Sequence, residues 1–172
     1  DTMYDVAVIV MDCDARVHSD LGNVFLNTYL EDTGDWEGLD VLPLYLSRQA
    51  YVRAKVTSFL LDDASITADQ AQTKQAQAQA YYTLAWRYTQ PKAGQLILMS
   101  GLSGSGKSTV AQRLARLIGA VFFRSDAVRK HLAGIPLQRK GDTSLYTPAM
   151  TQKTYARLCN LGVRLAKLGY IV

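Results

Sequence analysis

The stretch GLSGSGKST, residues 101–109, lies between the apolar run QLILMS and the periodic run VAQRLARLIGA. Gly101, four residues, and then Gly106-Lys107-Ser108 fit the phosphate-binding loop pattern at every fixed position. The pattern has a mechanism behind it. Glycines let the backbone turn so that successive N–H groups converge on phosphate oxygens, and the start of the following helix adds partial positive charge. The context also fits, because the mechanism requires a strand before the loop and a helix after it. The residues expected to hold a nucleotide are Gly101, Leu102, Ser103, Gly104, Ser105, Gly106, Lys107, Ser108 and Thr109. Lys107 can reach the outer phosphates, and the Ser108 hydroxyl can ligate Mg²⁺.

Around the loop the second half alternates between short apolar runs and helical ones. QLILMS and AVFFR read as buried strands, residues 107–118 as a helix closed by Gly119, and SDAVRKHLAG as a short helix ending at Gly134. IPLQRKGDTSLYTP reads as a polar loop, AMTQKTYARLCNLGVRLAKLG as a long amphipathic helix, and YIV as the start of a third strand. The expected fold is therefore α/β, a P-loop NTPase-type parallel sheet of about three strands with helices packed on it. Val172 falls inside that third strand, so the chain reads as a fragment of something longer.

The first half reads as helical throughout. YDVAVIVMDCDA is a buried helix, and DLGNVFLNTYLEDTG places Leu21, Val24, Phe25, Thr28 and Tyr29 on one stripe before a stop at Gly34. LPLYLSRQAYVRAKVTSFLL begins with Pro43 near a first-turn position. The Ala/Gln-rich run that follows is also a good helix former. TQPKAG then breaks the pattern. Charge changes sign at the same place: residues 1–90 carry 6 Lys/Arg against 13 Asp/Glu, and residues 91–172 carry 13 against 2. The expected domains are 1–90, helical, and 91–172, the loop-bearing part. A basic half suits polyanionic ligands; mutual attraction of the two halves explains the asymmetry equally well.

Asp126 lies nineteen residues after Lys107, just past the second expected strand. In open parallel sheets ligands bind beyond the carboxyl ends of strands, so Asp126 is expected to face the site and engage an attacking hydroxyl. The alternative is that it caps the next helix. Arg129 and Lys130, a turn later, can grip an anionic substrate group. Other signals carry less. HSDLGN has the wrong spacing for a phosphotransferase catalytic loop, and His131 reads as a surface helix residue. Asp12 and Asp14 read as a solvated helix end, and Tyr81, Tyr82, Trp86 and Tyr88 as packing. Cys13 and Cys159 suggest reduced thiols. No run is long enough for a spanning helix, and the start lacks a signal peptide's basic region, so a cytoplasmic protein is expected.

GLSGSGKSTVAQRLARLIGAVFFRSDAVRK resembles the small P-loop kinases, the group holding gluconate kinase-like, chloramphenicol phosphotransferase-like and zeta-toxin-like enzymes. That resemblance implies ATP with Mg²⁺, and an acidic residue after the second strand, here Asp126, on the substrate hydroxyl. VMDCDAR, FLNTYLEDTGDWEGL and RQAYVRAKV are similar to the last helices of an aminoglycoside-phosphotransferase-like region in bacterial two-part proteins. It also implies a further Mg²⁺-associated acid and a basic lid, neither within residues 1–172, so the chain is expected to bind ATP with or without turning it over. The leading expectation is a kinase for a small-molecule hydroxyl, with Lys107 and Asp126 catalytic. A nucleic-acid 5′-hydroxyl kinase and a non-catalytic ATP sensor are the alternatives. The acceptor's identity and the oligomeric state do not follow from these residues.

Overall fold

The computed structural model describes residues 2–63, 65–102, 104–139, 141 and 143–172. Its α-helices are α1 (Thr2–Ala15), α2 (Ser19–Thr33), α3 (Leu42–Phe59), α4 (Ala68–Thr89), α5 (Lys107–Ile118), α6 (Ser125–Leu132) and α7 (Pro148–Lys167). Short 3₁₀ turns cover Glu37–Asp40, Leu60–Asp62 and Thr143–Tyr146. The chain divides into two compact units. One comprises Asp1–Gly22 with Gly38–Pro91, the other Asn23–Glu37 with Lys92–Val172.

The first unit is a helical assembly in which α3 packs on α4 and α1. Met3, Val6, Ala7, Val10 and Met11 bury one face of α1 at three- and four-residue spacing. Leu42, Leu46, Ala50 and Ala54 do the same on α3 at a strict four-residue step. The Ala/Gln-rich run does form a helix, opened by a capping box. Gln70 N–H donates to Thr67 Oγ1 at 3.3 Å, and Thr67 N–H donates back to Gln70 Oε1 at 3.0 Å. Asp12 and Asp14 lie half-buried in the last turn of α1 and have partners: Arg53 pairs with Asp12 at 3.2 Å, and the Tyr88 hydroxyl donates to Asp14 at 2.6 Å.

In the second unit α6 packs on α7, and the core includes Leu26, Leu30, Trp36, Val121, Val128, Leu161 and Leu165. The expected parallel sheet is not there. Among the described residues the one parallel bridge joins Gln95 to Ile171, and neither QLILMS nor AVFFR forms a strand. The reason lies in the hydrogen bonds. Gln95 N–H donates to Tyr170 O at 3.1 Å, Val172 N–H to Gln95 O at 2.8 Å, and Ile97 N–H to Val172 O at 2.7 Å. Val121 N–H donates to Ile171 O at 2.8 Å. All four run to Tyr170, Ile171 and Val172, and among the described residues they make one isolated bridge and no ladder. Leu98 stays 81% exposed, whereas strands of a parallel sheet are buried on both faces. Close approach is nonetheless real at Gly94, where a Cβ would lie 1.9 Å from the Ala166 carbonyl oxygen.

Candidate nucleotide-binding site

Three glycines shape the loop. Gly101, Gly104 and Gly106 have φ of 147°, 77° and 82°, in the region that L side chains rarely adopt. Gly106 is also the N-cap of α5, and no side chain caps the helix. The first intrahelical-type bond beyond the cap is Val110 N–H to Gly106 O, at 3.1 Å. The amides of Lys107, Ser108 and Thr109 belong to the first turn, where a helix leaves its donors free of intrahelical partners. That is the chemistry an oxyanion needs, and Gly104 and Gly106 open onto empty space. Ser108 and Thr109 are exposed, and Ser105 and Leu102 lie in the loop, where Ser105 N–H donates to Leu102 O at 3.3 Å. Ser103 lies outside the described residues.

The Lys107 ammonium bends back over the loop. It donates to Gly101 O at 2.6 Å, to Leu102 O, and at 3.4 Å to Ser105 Oγ. The loop carbonyls thus hold a cation at the place where phosphate charge is expected to arrive.

Asp126 sits in the first turn of α6 and does not cap it; the N-cap position is Arg124, with no side-chain bond. Both Asp126 oxygens are engaged. Oδ2 lies 3.0 Å from Lys130 Nζ, and Oδ1 accepts the Tyr146 hydroxyl at 3.3 Å. Lys130 is buried and also donates to Leu137 O at 2.8 Å, so its ammonium is taken up inside the protein. Arg129 is 8% exposed, its guanidinium lies 4.9 Å from the Tyr146 ring centroid, and its Nε has no partner among the described residues. The loop begins four residues after Ile97 and Asp126 lies five after Val121, two residues bonded to the neighbouring Val172 and Ile171.

The stretch that leads into α6 is held by α2, which the sequence reading did not anticipate. The Asn27 carboxamide donates to Ala120 O at 3.0 Å and accepts Phe122 N–H at 2.7 Å. One side chain thereby takes the place of a strand residue opposite Val121. Asn23 Nδ2 adds a buried bond to Ala120 O at 2.9 Å. Glu31 pairs with Arg124, and its carbonyl lies 2.7 Å from His131 Nε2. His131 is therefore not a free surface residue; its ring also meets Trp36 edge-on at 5.3 Å. The available signal was two asparagines four apart on a helix face shared with Leu26 and Leu30.

Residues 96–171 match the AAA domain family, a P-loop kinase-like family, and the match supports nucleotide binding in this part of the chain. Uncharacterized proteins of Mycobacterium tuberculosis (strains CDC 1551 and H37Rv) and Mycobacterium bovis are each 31% identical to it over 159 residues. The alignment takes in 90% of this chain and 31% of each relative, so the chain spans under a third of the curated relatives it matches. No solved structure matches the chain. The family match does not extend to residues 1–95, and nothing in these likenesses supports an aminoglycoside-phosphotransferase-like region there. Among the described residues, no helix is long and apolar enough to cross a membrane.

Proposed function

We propose that the protein binds ATP through residues 101–109 and, in the whole protein, passes the γ-phosphoryl group to a hydroxyl of a small molecule in the cytoplasm. The observation that carries this reading is the α5 N-terminus, which has no side-chain cap and follows three glycines with positive φ. The loop amides and Lys107 would hold the phosphates, and the Ser108 hydroxyl would hold Mg²⁺. When bound there, Mg²⁺ offsets phosphate charge. Asp126 would orient the acceptor hydroxyl and take its proton, and Arg129 would meet an anionic part of the acceptor. The two-part organisation, with residues 1–90 as the end of a phosphotransferase-like region, belongs to the same reading.

One observation favours the sensor alternative, in which ATP is bound and not used: both Asp126 oxygens already have partners. Nucleic acid is the weaker partner, because Arg124 and Arg157 are paired with Glu31 and Glu37 within the second unit. Calorimetric titration with Mg-ATP tests the proposal. Saturable binding is expected, lost in Lys107→Ala; equal binding by the variant overturns the role of the loop. Asp126→Asn is expected to keep ATP affinity and abolish transfer in the whole protein. Transfer that persists undiminished removes Asp126 from the mechanism.

A further inference from the structure

Within that reading, we infer that Tyr146 is an internal phosphoryl acceptor: its hydroxyl holds the acceptor's place at Asp126 and takes the γ-phosphoryl group of ATP when no other acceptor is bound. Asp126 has two oxygens, and they are not equivalent. The one facing Lys130 is fixed, because Lys130 is buried and tied a second time to Leu137 O. An acceptor hydroxyl must therefore use Oδ1, the oxygen that the Tyr146 hydroxyl occupies at 3.3 Å.

Tyr146 is held there at the surface. Its neighbour Leu145 is buried at 3% exposure, and the chain after it is fixed by Thr147, the N-cap of α7, whose hydroxyl accepts Met150 N–H at 3.2 Å. Tyr146 itself is 55% exposed, at the end of a single 3₁₀ turn. A second observation points the same way. The Arg129 guanidinium lies against the Tyr146 ring, and its buried Nε has no partner among the described residues. A phosphate on Tyr146 would bring anionic oxygens to that donor.

The step balances. A bond forms between Tyr146 Oη and the γ-phosphorus while the bond from that phosphorus to the bridging oxygen breaks. ADP leaves with the electron pair, and the phenol proton passes to Asp126 and on to solvent. Phosphorylated Tyr146 would then exclude other acceptors from Asp126.

Incubation of the whole protein with Mg-ATP, read by intact mass and peptide mapping, tests this. A single phosphate on Tyr146 is expected, absent in Tyr146→Phe and Lys107→Ala, and slowed ~100-fold in Asp126→Asn. Protein isolated from its expression host should already carry the Tyr146 phosphopeptide, and Lys107→Ala isolated alongside should not. Labelling rates should not depend on protein concentration, since donor and acceptor share one chain. ATP binding by calorimetry with no phosphate on Tyr146 overturns the inference and leaves the phosphotransfer reading standing. Label that persists in Lys107→Ala, or that falls on another residue, also overturns it. No ATP binding overturns both.

Discussion

Val17 closes α1 in a conformation its side chain disfavours. Its φ is 63°, and it alone among the described non-glycine residues has a positive value. The surrounding bonds define a Schellman motif: His18 N–H donates to Cys13 O at 2.8 Å and Val17 N–H to Asp14 O at 3.2 Å. Glycine or asparagine is the favoured residue at that position. A β-branched side chain costs about 1 kcal/mol there, with no packing in return, since Val17 is 89% exposed. Val17→Gly should therefore raise the urea midpoint, and an unchanged or lower midpoint refutes the strain. At this scale much of the candidate site is legible in the sequence. The loop pattern is local, and its glycines take positive φ where the pattern demands it. Lys130, four residues after Asp126 on one helix, is also a readable pair. Tyr146 is not, because twenty residues separate it from Asp126 and only the folded loop brings its hydroxyl to the carboxylate.

The helices were readable as elements, because a 3.6-residue apolar period and a stop such as Gly119 or Gly34 act within a few turns. Which face a helix buries was less so. On α2 the expected stripe of Leu21, Val24, Phe25, Thr28 and Tyr29 is not the buried one; Asn23, Leu26 and Leu30 are buried, while Leu21 and Val24 are exposed. The asparagines face inward because their partners are backbone groups more than ninety residues along the chain. Asn27→Leu would strand the Phe122 N–H, and a buried amide without a partner costs ~1–3 kcal/mol. A lower urea midpoint and faster amide exchange at Phe122 are expected. If the Phe122 amide exchanges as slowly as before, α2 does not hold this stretch.

For the whole molecule, the charge asymmetry of the sequence resolves into particular pairs inside the second unit, because residues 23–37 belong to it. Glu31 meets Arg124, and Glu37 meets Arg157, with Arg164 at 4.0 Å. Burial pushes the Glu37 carboxyl up, but the hydrogen bond and charge of Arg157, aided by Arg164, outweigh it and leave the group below its ordinary value of 4.5. The unfolded chain then binds more protons than the folded one in that range. Glu37 thus contributes stability above its ordinary value, lost as pH falls through the folded one. Glu37→Gln should flatten the decline in melting temperature between about pH 5 and pH 3. Identical slopes would show that the pair contributes nothing. What the sequence determined by itself were the features fixed within a turn or two of chain: the helices, their stops and the phosphate-binding loop. Only the tertiary structure decided that QLILMS and AVFFR remain unladdered, that α2 closes the edge at Val121, and that Tyr146 meets Asp126. Each of these depends on hydrogen bonds between segments far apart in sequence, whose geometry no local pattern encodes.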